Sequence, residues 1–136
     1  MPNVSEHSVF MNIAYEISRF SYAERKKVGA ILVKDGSIIG FGYNGTPAGY
    51  YTNACEKDNV TIDEVLHAET NLLSKVCKST ISSEGSILYT TLSPCFECSK
   101  MIYQAGIKEV YYSELYRDTK GIDFLAQLHV ACILLK

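Results

Sequence analysis

Between residues 6 and 20, EHSVFMNIAYEISRF, apolar side chains recur at Val9, Ile13, Ala14 and Ile17, with Phe10 and Phe20 beside them. That is the spacing of an amphipathic helix, and Ser5 stands where an N-cap is expected. The period then changes. VGAILV (28–33) and SIIGFGY (37–43) are β-rich stretches separated by KDG, a compact turn signal, and together predict an antiparallel hairpin. Residues 44–61, NGTPAGYYTNACEKDNVT, are rich in turn formers and carry no period. A loop of that length inside a compact domain usually has a function. Leu66, Leu72, Leu73 and Val76 predict a helix running to about residue 77. SILYTTL (86–92) reads as a buried strand, and CFECSKMIYQAG (95–106) as a helix capped at Gly106. IKEVYYS is a further strand, IDFLAQL a short helix and VACILL a last strand.

The order is α-β-β-α-β-α-β-α-β. Strands alternating with helices in the later half imply parallel pairs joined by crossovers, whereas the opening hairpin is antiparallel. The expected architecture is α/β: three layers, α-β-α, with a five-stranded mixed sheet and helices on both faces. A chain of 136 residues has room for one core, so residues 1–136 are read as a single domain.

At 47% apolar and 21% charged, the composition is that of a globular rather than a disordered chain. MPNVSEHSVF has no basic patch followed by an apolar run, and runs such as ACILL are far short of the roughly 20 residues that cross a bilayer. The expectation is a cytoplasmic protein without a membrane partner. The net charge of −2, without a dense Lys/Arg run, argues against a polynucleotide partner. A single nucleotide needs only one or two cations. ERKK (24–27) offers them, although by itself that stretch reads as a solvated turn.

Cysteines stand at 55, 77, 95, 98 and 132. An odd count and no secretion signal weigh against a disulfide framework. Cys77 and Cys132 lie in apolar surroundings and read as core residues. Cys95 and Cys98, after Pro94, share one helix face at a predicted helix start, where the positive end of the helix favours thiolate. Thiolates there suit either a redox pair or a metal. A redox pair needs no partner elsewhere, whereas a metal site needs another ligand, for which His67 in VLHAETN is the candidate. Of the other histidines, His7 reads as exposed on the first helix and His129 as a hydrogen-bonded packing residue.

His67-Ala68-Glu69 followed by Pro94-Cys95-x-x-Cys98 forms H-x-E…P-C-x-x-C, the signature of zinc-dependent nucleobase deaminases. Three protein ligands leave a fourth tetrahedral position open, the pattern of a catalytic zinc. Glu69 then reads as the acid/base group beside the metal. The two side chains converge more easily if His67 begins its helix than if the helix starts at Thr61.

From about Ser21 to Lys136 the chain resembles the cytidine-deaminase-fold superfamily, and within it the deoxycytidylate (dCMP) deaminases. The likeness rests on RKKVGAILV (25–33), GYNGTPAG (42–49), Cys55-Glu56, HAETN (67–71), TLSPCFECSKMIYQAGIKEVYY (91–112) and YRD (116–118). It implies a cytidine-deaminase-like fold and hydrolytic deamination of dCMP to dUMP and ammonia, feeding thymidylate synthesis. It implies one zinc per chain held by His67, Cys95 and Cys98, with Glu69 as proton shuttle. It also implies that Asn44 faces the nucleoside, that Arg25 meets the 5′-phosphate and that Tyr116 borders the nucleotide. For Asn44 a turn residue beside Gly45 is an equal reading, and for Tyr116 so is ordinary packing. Asn71 is read as bracing the loop. The family is commonly a homohexamer, activated by dCTP and inhibited by dTTP, with effector sites partly lined by the stretch matching Gly42, Tyr43, Asn44 and Gly45. Some members carry a second, structural zinc. Ser21-Tyr22-Ala23 replaces a cysteine used there, and the loop has only Cys55, so no second zinc is expected. The same chemistry on cytidine, deoxycytidine or tRNA adenosine stays open, as does a non-catalytic nucleotide-binding member. The acidic balance and the GYNGTPAG loop speak against tRNA; the intact His67, Glu69, Cys95 and Cys98 speak against loss of catalysis.

Overall fold

Helix α1 spans Val4–Ser18 in the computed structural model, which describes residues 4–135. Strands β1 (Gly29–Lys34) and β2 (Ser37–Tyr43) follow, then two short strands, β3 (Glu56–Lys57) and β4 (Val60–Thr61). Helix α2 (Ala68–Cys77), strand β5 (Ile87–Leu92), helix α3 (Phe96–Gln104), strand β6 (Glu109–Glu114), helix α4 (Lys120–Gln127) and strand β7 (Ala131–Leu134) complete the chain. The five long strands form one sheet in the order β2-β1-β5-β6-β7. β1 is antiparallel to both β2 and β5, whereas β5-β6 and β6-β7 are parallel, which is the expected mixed sheet.

Alternation along the central strands divides the core in two. Ala30 and Leu32 of β1, Leu88 of β5 and Val110 of β6 pack with Leu72, Ile102 and Leu125 from α2, α3 and α4. Ile31, Val33, Tyr89 and Tyr111 face the other way, onto Met11 and Ala14 of α1. Because helices cover both faces, β1 reads as an unbroken apolar run rather than an alternating one. Leu72 is wholly buried, and truncating such a residue to Ala costs about 2–5 kcal/mol.

The loop after β2 is more ordered than its composition suggests. β3 and β4 pair in register Glu56↔Thr61 and Lys57↔Val60. Asp58 and Asn59 between them take φ of 55° and 63°, the left-handed pair of a type I′ hairpin turn. Four further expectations are corrected. Ser5 lies within α1 rather than capping it. His7 is half-buried, not exposed: its Nδ1 is 2.7 Å from the hydroxyl of Tyr89, and its ring stacks on Tyr111 at 4.3 Å. A phenol as deeply buried as Tyr89 requires such a partner. Cys77 is exposed, because the inward position at the end of α2 is taken by Val76. His129 is exposed at φ 64°, and it ends α4 through its backbone rather than packing through its ring. Cys132 is half-buried against the α2-α3-α4 side of the core.

Candidate metal centre and active site

Three contacts decide where α2 begins. A Cβ on Gly42 would lie 2.6 Å from both Ala68 O and Leu72 N, so only glycine lets the helix backbone settle on β2. Gly45 and Leu66 exchange backbone hydrogen bonds at 3.1 and 2.8 Å. Asn71 Nδ2 donates to Tyr43 O at 2.9 Å, which is the bracing role expected of it. His67 is thereby held at the N-cap, extended at φ −67° and ψ 158°, one residue before the first helical turn. The imidazole and the Glu69 carboxyl therefore share one cleft, despite being two residues apart.

Cys95 is likewise the N-cap of α3, and its Sγ accepts the N–H of Cys98 at 3.4 Å. The turn that carries it is backed by the start of α4. A Cβ on Gly121 would come within 2.7 Å of Cys95 O and 2.6 Å of Ser99 Oγ, and closer still to Pro94 O.

His67 Nδ1 lies 3.4 Å from Cys95 Sγ and 3.4 Å from Cys98 Sγ. All three donor atoms fall within 4.8 Å of one another, and this is the metal-capable group found among the described residues. Zinc bonds of about 2.3 Å to sulfur and about 2.0 Å to nitrogen give a tetrahedral S···N edge of roughly 3.5 Å, so the set has the size as well as the chemistry for zinc. The hydrogen bond from Cys98 chiefly holds the Cys95 thiol down to about 4, with His67 adding to the effect. The same bond, together with burial, pushes Cys98 up. The hydrogen bond with Cys95 raises His67. A cation held by the set would keep both sulfurs as thiolates.

Glu69 is only 4% exposed. Burial pushes its carboxyl up to about 7, against the lowering effects of its own backbone N–H and of His67. A carboxyl tuned to that range both gives and takes a proton at neutral pH.

A cleft of about 490 Å³ brings Arg25, Asn44 and Tyr116 together with His67, Glu69 and Cys95, while Cys98 lies buried beyond its lining. The backbone N–H of Arg25 donates to Glu56 at 3.2 Å, and its guanidinium makes no ion pair among the described residues. Asn44 is heavily committed to backbone: Oδ1 accepts from Val28 N–H at 2.9 Å and Nδ2 donates to Lys26 O at 2.8 Å. Tyr116 is half-buried, its N–H donating to Ser93 Oγ at 2.7 Å, with Arg117 lying 5.8 Å from the ring centre. In the Gly42–Gly45 stretch the two glycines are buried, and Tyr43 sits beside Phe20 and Lys75.

The partners of several residues in and around the cleft escape sequence reasoning. Lys26 Nζ meets Glu114 Oε1 at 2.6 Å, and the hydroxyl of Tyr15 donates to Glu114 Oε2 at 2.9 Å. Arg117 adds a second guanidinium to the lining, and Glu56 anchors the Arg25 loop to the β3-β4 hairpin. No local spacing signals these, since the partners of Glu114 lie 88 and 99 residues away.

Comparison with known proteins agrees with this geometry. Residues 4–114 match the family model of the cytidine and deoxycytidylate deaminase zinc-binding region. ComE operon protein 2 of Bacillus subtilis is 36% identical over 121 residues, covering 86% of this chain and 64% of that protein. Deoxycytidylate deaminase of Enterobacteria phage T4 is 31% identical over 155 residues, covering 83% of this chain and 80% of that one. The chain thus spans less than two-thirds of the Bacillus relative's length. The crystal structure of dCMP deaminase from the cyanophage S-TIM5, in complex with dCMP and dUMP, superposes with a TM-score of 0.96 at 48% identity, covering 99% of this chain and 100% of that one. The cofactor of the His67-Cys95-Cys98 set is zinc. On the matched sequence and the superposed fold together, the chain belongs to the cytidine and deoxycytidylate deaminase zinc-binding family.

Proposed function

We propose that the chain, taken over residues 1–136 as one catalytic unit, is a zinc-dependent aminohydrolase that converts dCMP and water to dUMP and ammonia. The observation that carries the reading is the convergence of His67, Cys95 and Cys98 in a cleft that also receives the buried carboxyl of Glu69 and the guanidinium of Arg25. The likeness to the S-TIM5 enzyme, solved with dCMP and dUMP, supports the choice of substrate.

Zinc in this set supplies Lewis acidity, enough to let water ionise near neutral pH. Glu69 takes a proton from the water whose oxygen bonds to C4 of cytosine and passes it to N3. It then carries the second proton to the exocyclic nitrogen, so that the C4–N bond breaks with neutral ammonia leaving. Arg25 grips the 5′-phosphate, a guanidinium matching phosphate oxygens two at a time. Tyr116 borders the nucleotide. Asn44 holds residues 26–28 in place and presents its remaining amide hydrogen to the cleft.

The family resemblance extends the proposal to a homo-oligomer, activated by dCTP and inhibited by dTTP, that supplies dUMP for thymidylate synthesis. Of the Gly42–Gly45 stretch, Tyr43 and Asn44 are half-buried and offer their side chains to an effector site. A cytoplasmic location belongs to the same reading, supported by five free cysteines; among the described residues no helix is long and apolar enough to cross a membrane.

The test is ammonia release from dCMP, deoxycytidine, CMP, dCTP and adenosine, with and without dCTP and dTTP as effectors. The expected outcome is a clear preference for dCMP, raised by dCTP and lowered by dTTP. Preference for deoxycytidine or adenosine would reassign the substrate, and no release from any would mean a binding protein.

A further inference from the structure

The two sulfurs of the metal centre have different hydrogen-bond neighbours. Cys95 Sγ, at the cap of α3, accepts the backbone N–H of Cys98 at 3.4 Å. Cys98 Sγ instead meets the hydroxyl of Thr70 at 3.7 Å. Thr70 belongs to the first turn of α2, three residues after His67, so it reaches from the helix of the imidazole to the sulfur on α3. A threonine within a helix commonly turns its hydroxyl back to a carbonyl one turn earlier. Here the hydroxyl is directed at Cys98 instead. A metal-bound thiolate has no proton to give, so in the loaded centre the hydroxyl must be the donor.

We propose that Thr70 is a positioning residue of the metal centre: its hydroxyl donates to Cys98 Sγ, fixes that sulfur's orientation and draws charge from it, leaving the metal more electron-poor. Partners one layer behind the ligands commonly set metal affinity by holding the ligands in their orientation. Cys95 has a backbone donor that no side-chain substitution removes, so Thr70 is the adjustable member of the pair. The inference rests on the zinc-centre reading above.

The probe is Co(II) bound in place of zinc, whose sulfur-to-metal charge-transfer band reports on the thiolates and whose d–d bands report on geometry. Thr70→Val keeps the branched shape and removes the donor; Thr70→Ser keeps the donor. In T70V the charge-transfer band is expected at longer wavelength, with metal affinity about tenfold weaker or more. T70S is expected to retain the wild-type band and affinity. An unchanged band and affinity in T70V, or a T70S spectrum shifted as far as that of T70V, would overturn the role of Thr70. Failure of the unmodified chain to give any thiolate-cobalt band would overturn the metal centre itself, a result distinct from the first two.

Discussion

His67 Nδ1 and Cys98 Sγ lie 3.4 Å apart across 31 residues of chain. One comes from the cap of α2, the other from the first turn of α3, so an ion between them ties two helices on the same side of the sheet. Such an ion stabilises the folded chain alone, by about 4 kcal/mol at a free concentration 1,000 times the dissociation constant. Stripping zinc with a chelator is therefore expected to lower the thermal midpoint, and Cys98→Ser to abolish both zinc content and the chelator's effect. A midpoint indifferent to the chelator would mean that the three groups do not grip a common ion.

Gly121 carries a second prediction. Its missing side chain lets α4 sit against the carbonyls of Pro94 and Cys95. Gly121→Ala should force that turn aside, cost about 1–3 kcal/mol through overpacking and weaken zinc binding. Gln127→Ala, on the exposed face of the same helix, should change neither. Zinc competition against a coloured chelator reads the effect, and equal affinity in Gly121→Ala and wild type would remove α4 from the support of the centre.

Arg25 and Lys26 are neighbours with different commitments. Lys26 is paired with Glu114, whereas Arg25 keeps its guanidinium for the cleft. A hydrogen bond to a charged group is worth about 1.5–3 kcal/mol, so Arg25→Ala should lower kcat/KM for dCMP by about 10- to 100-fold. Deoxycytidine, which has no phosphate, should lose far less, and Lys26→Met should have the smaller effect on dCMP. Equal losses on the two substrates in Arg25→Ala would show that it does not hold the phosphate.

The Lys26–Glu114 pair also has a pH signature. Its hydrogen bond to Lys26 chiefly holds the Glu114 carboxyl below the usual 4.5. The folded form then binds its proton less readily than the unfolded one. The pair's contribution is present above pH 4.5 and is lost as pH falls through the lower, folded value. A carboxyl-detected NMR titration should place Glu114 below 4.5, and Lys26→Met should return it toward that value. A midpoint at or above 4.5 in the unmodified chain would contradict the pairing.

The chemistry was more legible in the chain than its support. His67, Glu69, Cys95 and Cys98 sit in two short motifs, because metal ligands at helix starts need fixed local spacing. Their convergence follows from His67 standing at the N-cap of α2. The central strands were equally readable, since burial on both faces leaves continuous apolar runs such as AILV in β1. What stayed hidden depends on contacts between distant elements. The β3-β4 hairpin is too short to carry a period, and only the Asp58-Asn59 turn betrays it. His7 looked exposed because nothing near it in sequence announces the buried hydroxyl of Tyr89. Thr70, Gly121 and the Lys26–Glu114 pair matter through partners that the fold alone supplies.

The central claim is that Glu69 moves protons at a zinc centre it does not itself build. Zinc content and ammonia release from dCMP, measured on one preparation of Glu69→Gln, test it most directly. Zinc near one ion per chain with most turnover lost is the predicted result; turnover close to that of the unmodified chain would contradict it.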